Sequence, residues 1–332
     1  MGARSTTRLW LFGLLLVTAC RRGGPVGDAG LPAPREPEAA RRGAITDYRV
    51  AFALRGAQVV LRTFTQAGRA WALVVDPQTL VTEVVPATPV TPVTLDALAA
   101  SPWTDALRAA RQHEAALQDS GLTHLLPAGS GVVLTVDLCP SHRHFDFRIT
   151  RELLDVFGPE ERPVPVAFSV SGVWLVEHED DLAKLKALDG NALAITWINH
   201  SMHHRYAPGA PLTRNFLLEP GTDARREVLD AEVAMLEHGL TPSVFFRFPG
   251  LVSEPALVEL VSALGLISVG SDAWLAKGER PGPGSVVLIH GNGNEPRGVD
   301  DFLALVRQEK KAIARRQFLL LDLREGVRET ER

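Results

Sequence analysis

The sequence predicts an α/β protein in which a parallel sheet, rolled into a barrel or distorted barrel, follows a small mainly-β module. From Gly131 onward, seven short apolar runs alternate with helix-like stretches, a pattern typical of parallel sheets. A barrel suits this number of strands. Upstream of Gly131, alternating runs are separated by Gly56 and Gly68, which is typical of antiparallel hairpins.

The composition is that of an ordinary globular protein. The 332 residues are 45% hydrophobic and 22% charged, with a formal net charge of −4. No block of basic residues indicates nucleic acid as a partner. The length suits one large α/β domain with a smaller one.

The amino terminus has the pattern of a signal peptide. Arg4 and Arg8 precede an apolar run, Leu9–Val17, that is too short to span a bilayer. The following Val-Thr-Ala-Cys20 resembles a bacterial lipobox. We therefore expect residues 1–19 to be removed and Cys20 to carry a lipid membrane anchor, although an ordinary signal peptide with an incidental cysteine gives the same pattern.

The residue after Cys20 indicates where in the cell the protein would be anchored. Arg21 stands there rather than aspartate, which by resemblance to Gram-negative lipoproteins implies the outer membrane, facing the periplasm. Residues 20–43 are rich in glycine, proline, alanine and charge and are expected to form a flexible tether.

Residues 44–126 are expected to form a small α+β module without chemistry of its own. Thr82–Pro92 is interpreted as a linker or extended strand, and Leu95–Leu117 as one or two helices. Before them come three predicted antiparallel strands: Tyr48–Leu54, Gln58–Phe64 and Ala70–Val75.

Residues 131–325 are expected to form the barrel domain. The predicted strands are Val132–Val136, Val164–Val170, Ala192–Thr196, Ser243–Arg247, Leu266–Val269, Ser285–Ile289 and Gln317–Leu321. The predicted helices are Ile149–Phe157, Glu179–Leu188, Asp223–His238, Glu254–Leu264 and Val299–Ala314. Glu227, Glu232 and Glu237 suit the solvated face of the third helix.

Polar residues follow five of these strands: Asp137; His200 and His204; Arg247; Asp272 with Trp274; and His290. The carboxyl ends of parallel strands meet at one rim, so these side chains are expected to converge. If the chain becomes helical after the third strand, His200 and His204 lie on one face and can bind one metal ion.

Five motifs in this order resemble those of polysaccharide deacetylases with a NodB-type domain, the carbohydrate esterase family 4 group. His200–His204 matches the family motif His-Ser-x-x-His, and Arg247–Gly250 is a close variant of Arg-x-Pro-x-Gly. Leu134–Asp137 resembles Thr-Phe-Asp-Asp-Gly-Pro, Asp272 with Trp274 resembles the fourth motif, and Leu288–His290 matches Leu-x-His. The resemblance covers residues 131–323 and implies a distorted (β/α)7-type barrel.

The resemblance also implies an activity and a divalent metal cofactor, which is expected to be zinc. The family removes acetyl groups from N-acetylated glycans, which would be the substrate class. His200 and His204 would bind the metal, Asp137 would take a proton from the attacking water, and His290 would protonate the leaving amine. Asp272 would tune the pKa of His290, Arg247 would keep Asp137 ionised, and Trp274 and Pro249 would border the substrate pocket.

The sequence departs from the family at the first motif. Leu138 stands where the family has a metal-binding aspartate, and Cys139 replaces glycine. Asp146 is the expected third metal ligand, with Asp137 and Cys139 as alternatives, while Cys139, His142 and His144 are interpreted as surface or packing residues. The alternative function is a catalytically degenerate lipoprotein that binds glycan without cutting it.

Overall fold

The computed structural model describes residues 43–112, 117–125 and 130–330. Its first element is a five-stranded antiparallel sheet in the order β4-β3-β2-β1-β5. Gly56 and Gly68 adopt positive φ angles at the first two turns, as the hairpin prediction requires. Thr82–Pro92, interpreted from the sequence as a linker or extended strand, contributes the last two strands of this sheet. The five strands are Ile45–Arg55, Gln58–Gln66, Arg69–Val75, Thr82–Pro86 and Thr91–Pro92.

The second sheet is parallel and curls into an open half-barrel. Seven strands lie in the order β10-β9-β8-β7-β6-β12-β11, and β13 pairs with β6. This arrangement confirms the predicted distorted (β/α)7-type architecture. Its strands, β6 to β13 in chain order, are Gly131–Leu138, Val164–Val170, Leu193–Asn199, Phe245–Phe246, Ile267–Ser268, Ala273–Trp274, Val286–His290 and Leu319–Leu320.

Helices connect most of the parallel strands. The five predicted helices are present, and the last of them is interrupted after Gln308. Two short helices, α3 and α9, were not predicted. In chain order α1 to α9 are Pro102–Gln112, Arg148–Val156, Gly172–Glu177, Glu179–Leu188, Ala224–Glu237, Pro255–Ala263, Pro296–Gln308, Lys310–Ile313 and Leu323–Thr330.

The two sheets are packed around shared apolar side chains. Leu61 and Leu73 of the antiparallel sheet belong to the same buried cluster as Trp103 of α1 and Phe245 and Ile267 of the half-barrel. Burial of large apolar side chains such as these is the main stabilising contribution to folding. The predicted boundary between residues 44–126 and 131–325 is therefore crossed by a continuous core.

A buried ion pair also joins the two regions. Arg62 on β2 donates two hydrogen bonds to the carboxylate of Glu232 on α5, at 2.7 and 2.9 Å, and Tyr48 donates a third at 2.7 Å. Glu232 is 1% exposed and Glu227 is 6% exposed, so placing these two glutamates on a solvated face was wrong. The helical pattern could not reveal that an arginine from a distant strand would lie opposite.

Among the described residues, none of the helices combines the length and apolar character needed to cross a bilayer. The predicted signal peptide and Cys20 lie outside the described residues.

Candidate metal and catalytic site

The strand register brings the predicted polar residues to one rim. Leu138, Val170, Asn199, Phe246 and Ser268 are successive partners across the sheet and stand at one level. The residue that follows each of them leaves the sheet at the same edge. Those residues include Cys139, His200 and Arg247.

Asp137 lies one residue inside this rim, on the central strand β6. It is level with Ser169 and His290 on the neighbouring strands and is 3% exposed. Its Oδ1 accepts a 3.0 Å hydrogen bond from Nη1 of the fully buried Arg247. Burial alone would raise the pKa of Asp137, but the positive charge of Arg247, with smaller contributions from His200 and His290, holds it below its ordinary value.

Arg247 links several strand ends through its guanidinium. Nη1 also donates to Thr135 Oγ1 at 2.6 Å, and Nη2 donates to the backbone carbonyl of Gly270 at 2.8 Å. The contact with Asp137 thus uses one nitrogen rather than a bidentate fork. Because the guanidinium is held from several sides, it offers Asp137 a fixed positive charge.

His200 is oriented by the same residue. Its Nδ1 lies 2.8 Å from the backbone carbonyl of Arg247, and since a carbonyl can only accept, Nδ1 carries the proton. The lone pair of Nε2 is left facing the site. Nε2 lies 3.6 Å from Cys139 Sγ and 3.6 Å from Asp137 Oδ2. A backbone acceptor behind an imidazole is a common support for a metal ligand.

His204 reaches the site from a loop and not from a helix, so the helical interpretation of this pair was wrong. Ser201 and His204 both adopt positive φ angles, which an α-helix does not allow. Ser201 Oγ accepts a 3.1 Å hydrogen bond from the His204 backbone, and Asn199 Oδ1 accepts one from Ser201. This tight turn brings the rings of His200 and His204 edge to face, with centroids 4.7 Å apart.

Cys139 completes a group of three possible metal ligands. Its sulfur and the ring nitrogens of His200 and His204 all lie within 4.8 Å of one another. Zinc–nitrogen bonds of about 2.0 Å and zinc–sulfur bonds of about 2.3 Å place tetrahedral ligand atoms about 3.5 Å apart. The 3.6 Å between Sγ and Nε2 fits that geometry, and one thiolate with two imidazoles suits zinc.

The electrostatic surroundings of Cys139 favour its thiolate. The side chain is 4% exposed, and burial would raise the pKa of the thiol. The neighbouring imidazoles of His204, His290 and His200 nevertheless hold this pKa well below its ordinary value. Cys139, interpreted from the sequence as a surface or packing residue with metal binding as the alternative, is buried and lies among the histidines at the rim.

Asp146, the expected third ligand, is not brought to this group. Its carboxylate accepts hydrogen bonds from Nε and Nη2 of Arg148, with Nη2 at 2.6 Å, and from the Arg148 backbone at 3.0 Å. It thus stabilises the start of α2. The Asp146 backbone donates to the carbonyl of Gly291, next to His290, but its carboxylate is bound by Arg148, and this loop path has no local signature in the sequence.

His290 lies at the end of β12, next to Asp137 on β6. Its Nδ1 is 2.8 Å from Glu295 Oε2, and Trp274 donates its Nε1–H to the same oxygen at 2.7 Å. Burial would lower the pKa of His290, but the charges of Cys139, Glu295 and Asp137 raise it well above its ordinary value. His290 is therefore suited to carry a proton at neutral pH.

Asp272 is not the partner of His290, so the predicted tuning role was wrong. It precedes β11, an unpredicted strand, and therefore stands at the amino end of a strand. Its carboxylate accepts a 2.9 Å hydrogen bond from the Val286 backbone and lies 2.7 Å from His124 Nδ1. Val286 begins β12, four residues and about 13 Å from His290. Glu295, which the sequence did not indicate, is the carboxylate partner of His290 that Asp272 was expected to be.

Two further residues complete the rim. Pro249 is buried in a 3-10 turn, so it supports the loop after Arg247 rather than presenting a surface to substrate.

Tyr206 was not singled out in the sequence, yet it is 63% exposed and stacks on Phe216 at 5.4 Å. Phe216 in turn contacts the His204 ring at 5.6 Å. An exposed aromatic ring therefore lies one residue away from the candidate metal ligand His204.

No protein-family model matches the chain. Its structural neighbours are family 4 carbohydrate esterases. One, from Bacillus anthracis, is 20% identical and aligns over 70% of this chain and 94% of its own, with a TM-score of 0.45. A peptidoglycan deacetylase from Bacillus subtilis is 18% identical over 62% of this chain and 94% of its own, with a TM-score of 0.42. A pseudoenzyme of the same family from Bacillus anthracis is 12% identical over 61% and 67%, with a TM-score of 0.44.

Proposed function

We propose that the protein is a metal-dependent hydrolase that removes N-acetyl groups from a glycan of the cell envelope. The observation that carries this proposal is the convergence of the Asp137 carboxylate, the His200 Nε2 lone pair and Cys139 at one rim. A general base, a set of metal ligands and a candidate acid, His290, thus surround one position. Metal-assisted amide hydrolysis uses these three components together.

Zinc fits the donor set of Cys139, His200 and His204, and when bound it would activate water near neutral pH and polarise a carbonyl. Asp137 Oδ2, the oxygen not bonded to Nη1 of Arg247, accepts the proton that the attacking water loses. Arg247 keeps Asp137 ionised and ready to accept this proton. A positioned base typically contributes about 10²–10⁴-fold to the rate.

His290 supplies the second proton transfer. An amide nitrogen leaves only when it is protonated, and a protonated His290 gives its proton to that nitrogen as the C–N bond breaks. Acetate and a free amine are the products. Glu295 holds the Nδ1 side of the ring, which leaves Nε2 to face the substrate, and Trp274 borders the pocket at 5.8 Å from the His290 ring.

A carbohydrate substrate is supported by Tyr206. Sugar rings have apolar faces that stack on exposed aromatic side chains, and Tyr206 is held in place by Phe216 beside His204. Release of acetate from chitooligosaccharides and peptidoglycan, measured with the zinc content of the purified protein, tests the proposal. Zinc and glycan binding without any acetate release would favour the alternative of a glycan-binding lipoprotein.

The location of the protein is a separate proposal. We infer from the Val17–Cys20 pattern that Cys20 is lipidated and anchors the protein at the outer membrane, facing the periplasm. Cys20→Ser should abolish labelling by a fatty acid and release the protein from the membrane fraction. A parent protein that never incorporates lipid would contradict the lipobox interpretation.

A further inference from the structure

A second group of possible metal ligands lies where the loop after Cys139 meets the start of α4, with His144 on the loop and His178 and Asp181 at the helix. His144, His178 and Asp181 place one ring nitrogen each and a carboxylate oxygen within 4.8 Å of one another. His144 Nδ1 is 3.1 Å from Asp181 Oδ2, and His178 Nδ1 is 3.8 Å from the same oxygen. A tetrahedral zinc ion with bonds of about 2.0 Å holds its ligand atoms about 3.3 Å apart. The observed distances bracket that value.

His178 provides the strongest indication of a ligand. Its side chain is 5% exposed, and its Nε2 donates a 2.6 Å hydrogen bond to the backbone carbonyl of Ser141. Because Nε2 carries the proton, Nδ1 of the neutral ring has a free lone pair. Within the described parts of the chain, this buried Nδ1 has no hydrogen-bond partner. Its orientation is further fixed by Trp174, which stacks on the ring at 5.3 Å.

The other two donors have the character that a metal needs. Asp181 is 2% exposed, and its Oδ2 accepts a 2.8 Å hydrogen bond from the Phe145 backbone N–H, which fixes the carboxylate in place. His144 is 82% exposed in its side chain and leaves the site open to solvent. Lys184 Nζ lies 3.5 Å from Oδ1 of Asp181, whereas both imidazoles approach Oδ2.

We propose that His144, His178 and Asp181 form a second zinc site, distinct from the site at Cys139, His200 and His204. Two imidazoles and one carboxylate suit zinc and disfavour magnesium and calcium, which prefer oxygen ligands. The ion would fasten the loop after β6 to the start of α4. Ser141, which orients His178, is two residues from Cys139, so this loop belongs to both sites.

Zinc stoichiometry in a set of four proteins tests the proposal: the parent, His200→Ala, His144→Ala and the double variant. The full chain is purified without a polyhistidine tag and titrated against a chromophoric chelator. We expect two tightly bound zinc ions in the parent, one in His200→Ala, one in His144→Ala and none in the double variant. His144 is exposed, so its replacement should not disturb folding, and His142→Ala provides the matched control because it removes a neighbouring exposed imidazole outside the group.

Cobalt substitution separates the two sites spectroscopically. The site at Cys139 should show thiolate-to-cobalt charge-transfer absorption, whereas the second site has no sulfur and should add only weak visible bands. His144→Ala should remove the weak bands and weaken zinc binding at the second site at least tenfold, while the charge-transfer band remains. Magnesium and calcium should not compete.

The proposal is overturned if His144→Ala holds as much zinc as the parent, or if zinc in the parent depends on His200 alone. In either result the contact between His144 and Asp181 would be an ordinary ion pair that stabilises the loop. Because the comparison of His144→Ala with its parent is repeated in the His200→Ala background, failure of the first metal site does not obscure the result.

Discussion

His200 donates its Nδ1–H to the backbone carbonyl of Arg247 at 2.8 Å, while the guanidinium of Arg247 binds Asp137 at 3.0 Å. One residue thus orients the imidazole of a candidate metal ligand with its main chain and keeps a carboxylate ionised with its side chain. Both contacts depend on the register that places Asn199 beside Phe246, which fixes where His200 and Arg247 leave the sheet. The relative placement of base and metal ligand is set by the sheet itself.

Cys139→Ala should lower zinc affinity at the rim at least tenfold and reduce acetate release with it. The thiolate is one of three donors, and losses of even supporting groups typically cost about 10–100-fold in metal affinity. Zinc content and acetate release are measured together. Cys139→Ser keeps the size of the side chain and is the control for packing; full zinc affinity in both variants would show that Cys139 is not a ligand.

Asp137→Asn and Asp146→Ala should behave in opposite ways. The first removes the basic oxygen and should lower kcat by about 10²–10⁴-fold with zinc retained. The second should leave zinc content and kcat unchanged, because Asp146 is occupied by Arg148. Asp137→Asn also leaves Arg247 without an anionic partner, so thermal unfolding must be recorded alongside. Full activity of Asp137→Asn would exclude the proposed mechanism.

The sequence identified Asp137, His200, Arg247 and His290 because each stands at the end of an apolar run of strand length. Cys139 was within reach of the same reasoning. Residues two apart in an extended strand point to the same face, so Cys139 shares the side of Asp137. Leu138 points to the other side and is buried in the core between sheet and helices.

Other assignments could not be made from the sequence. A strand of two residues such as β11 has no periodicity, so Asp272 was given the wrong end of a strand. Glu295 and Asp146 lie in loops, where the path of the chain depends on tertiary contacts rather than on local pattern. The turn that brings His204 back to His200 needs positive φ angles at two residues that are not glycine, and these are stabilised only by neighbouring side chains.

Glu295→Gln should shift the pH dependence of kcat, whereas Asp272→Asn should not. The negative charge of Glu295 raises the pKa of His290, so its removal lowers that pKa. The general acid would then lose its proton at lower pH, and the basic limb of the kcat profile should move to lower pH. Asp272 faces His124 and the start of β12 and serves as the control. Equal shifts in both variants would show a general electrostatic effect instead.

Tyr206→Ala should raise KM for a chitooligosaccharide several-fold and change kcat little. The ring is exposed and is expected to bind a sugar away from the reacting bond, so its loss removes binding that ground state and transition state share. Tyr206→Phe keeps the stacking face and should resemble the parent. An unchanged KM in Tyr206→Ala would place the glycan elsewhere on the rim.

Glu232→Gln should destabilise the protein by about 3 kcal/mol, because it breaks a buried ion pair and leaves the charge of Arg62 uncompensated. Two nitrogens of Arg62 donate to this carboxylate. Because Arg62 is fully buried, water cannot compensate for the lost negative charge. Asp230→Asn on the same helix is the matched control: its partner Arg226 is 75% exposed at 3.5 Å, and an exposed pair contributes less than about 1 kcal/mol. Urea unfolding measures both variants. Similar small losses would mean that the contact between β2 and α5 is held by apolar packing, with Phe64, Trp71 and Leu236 as its core.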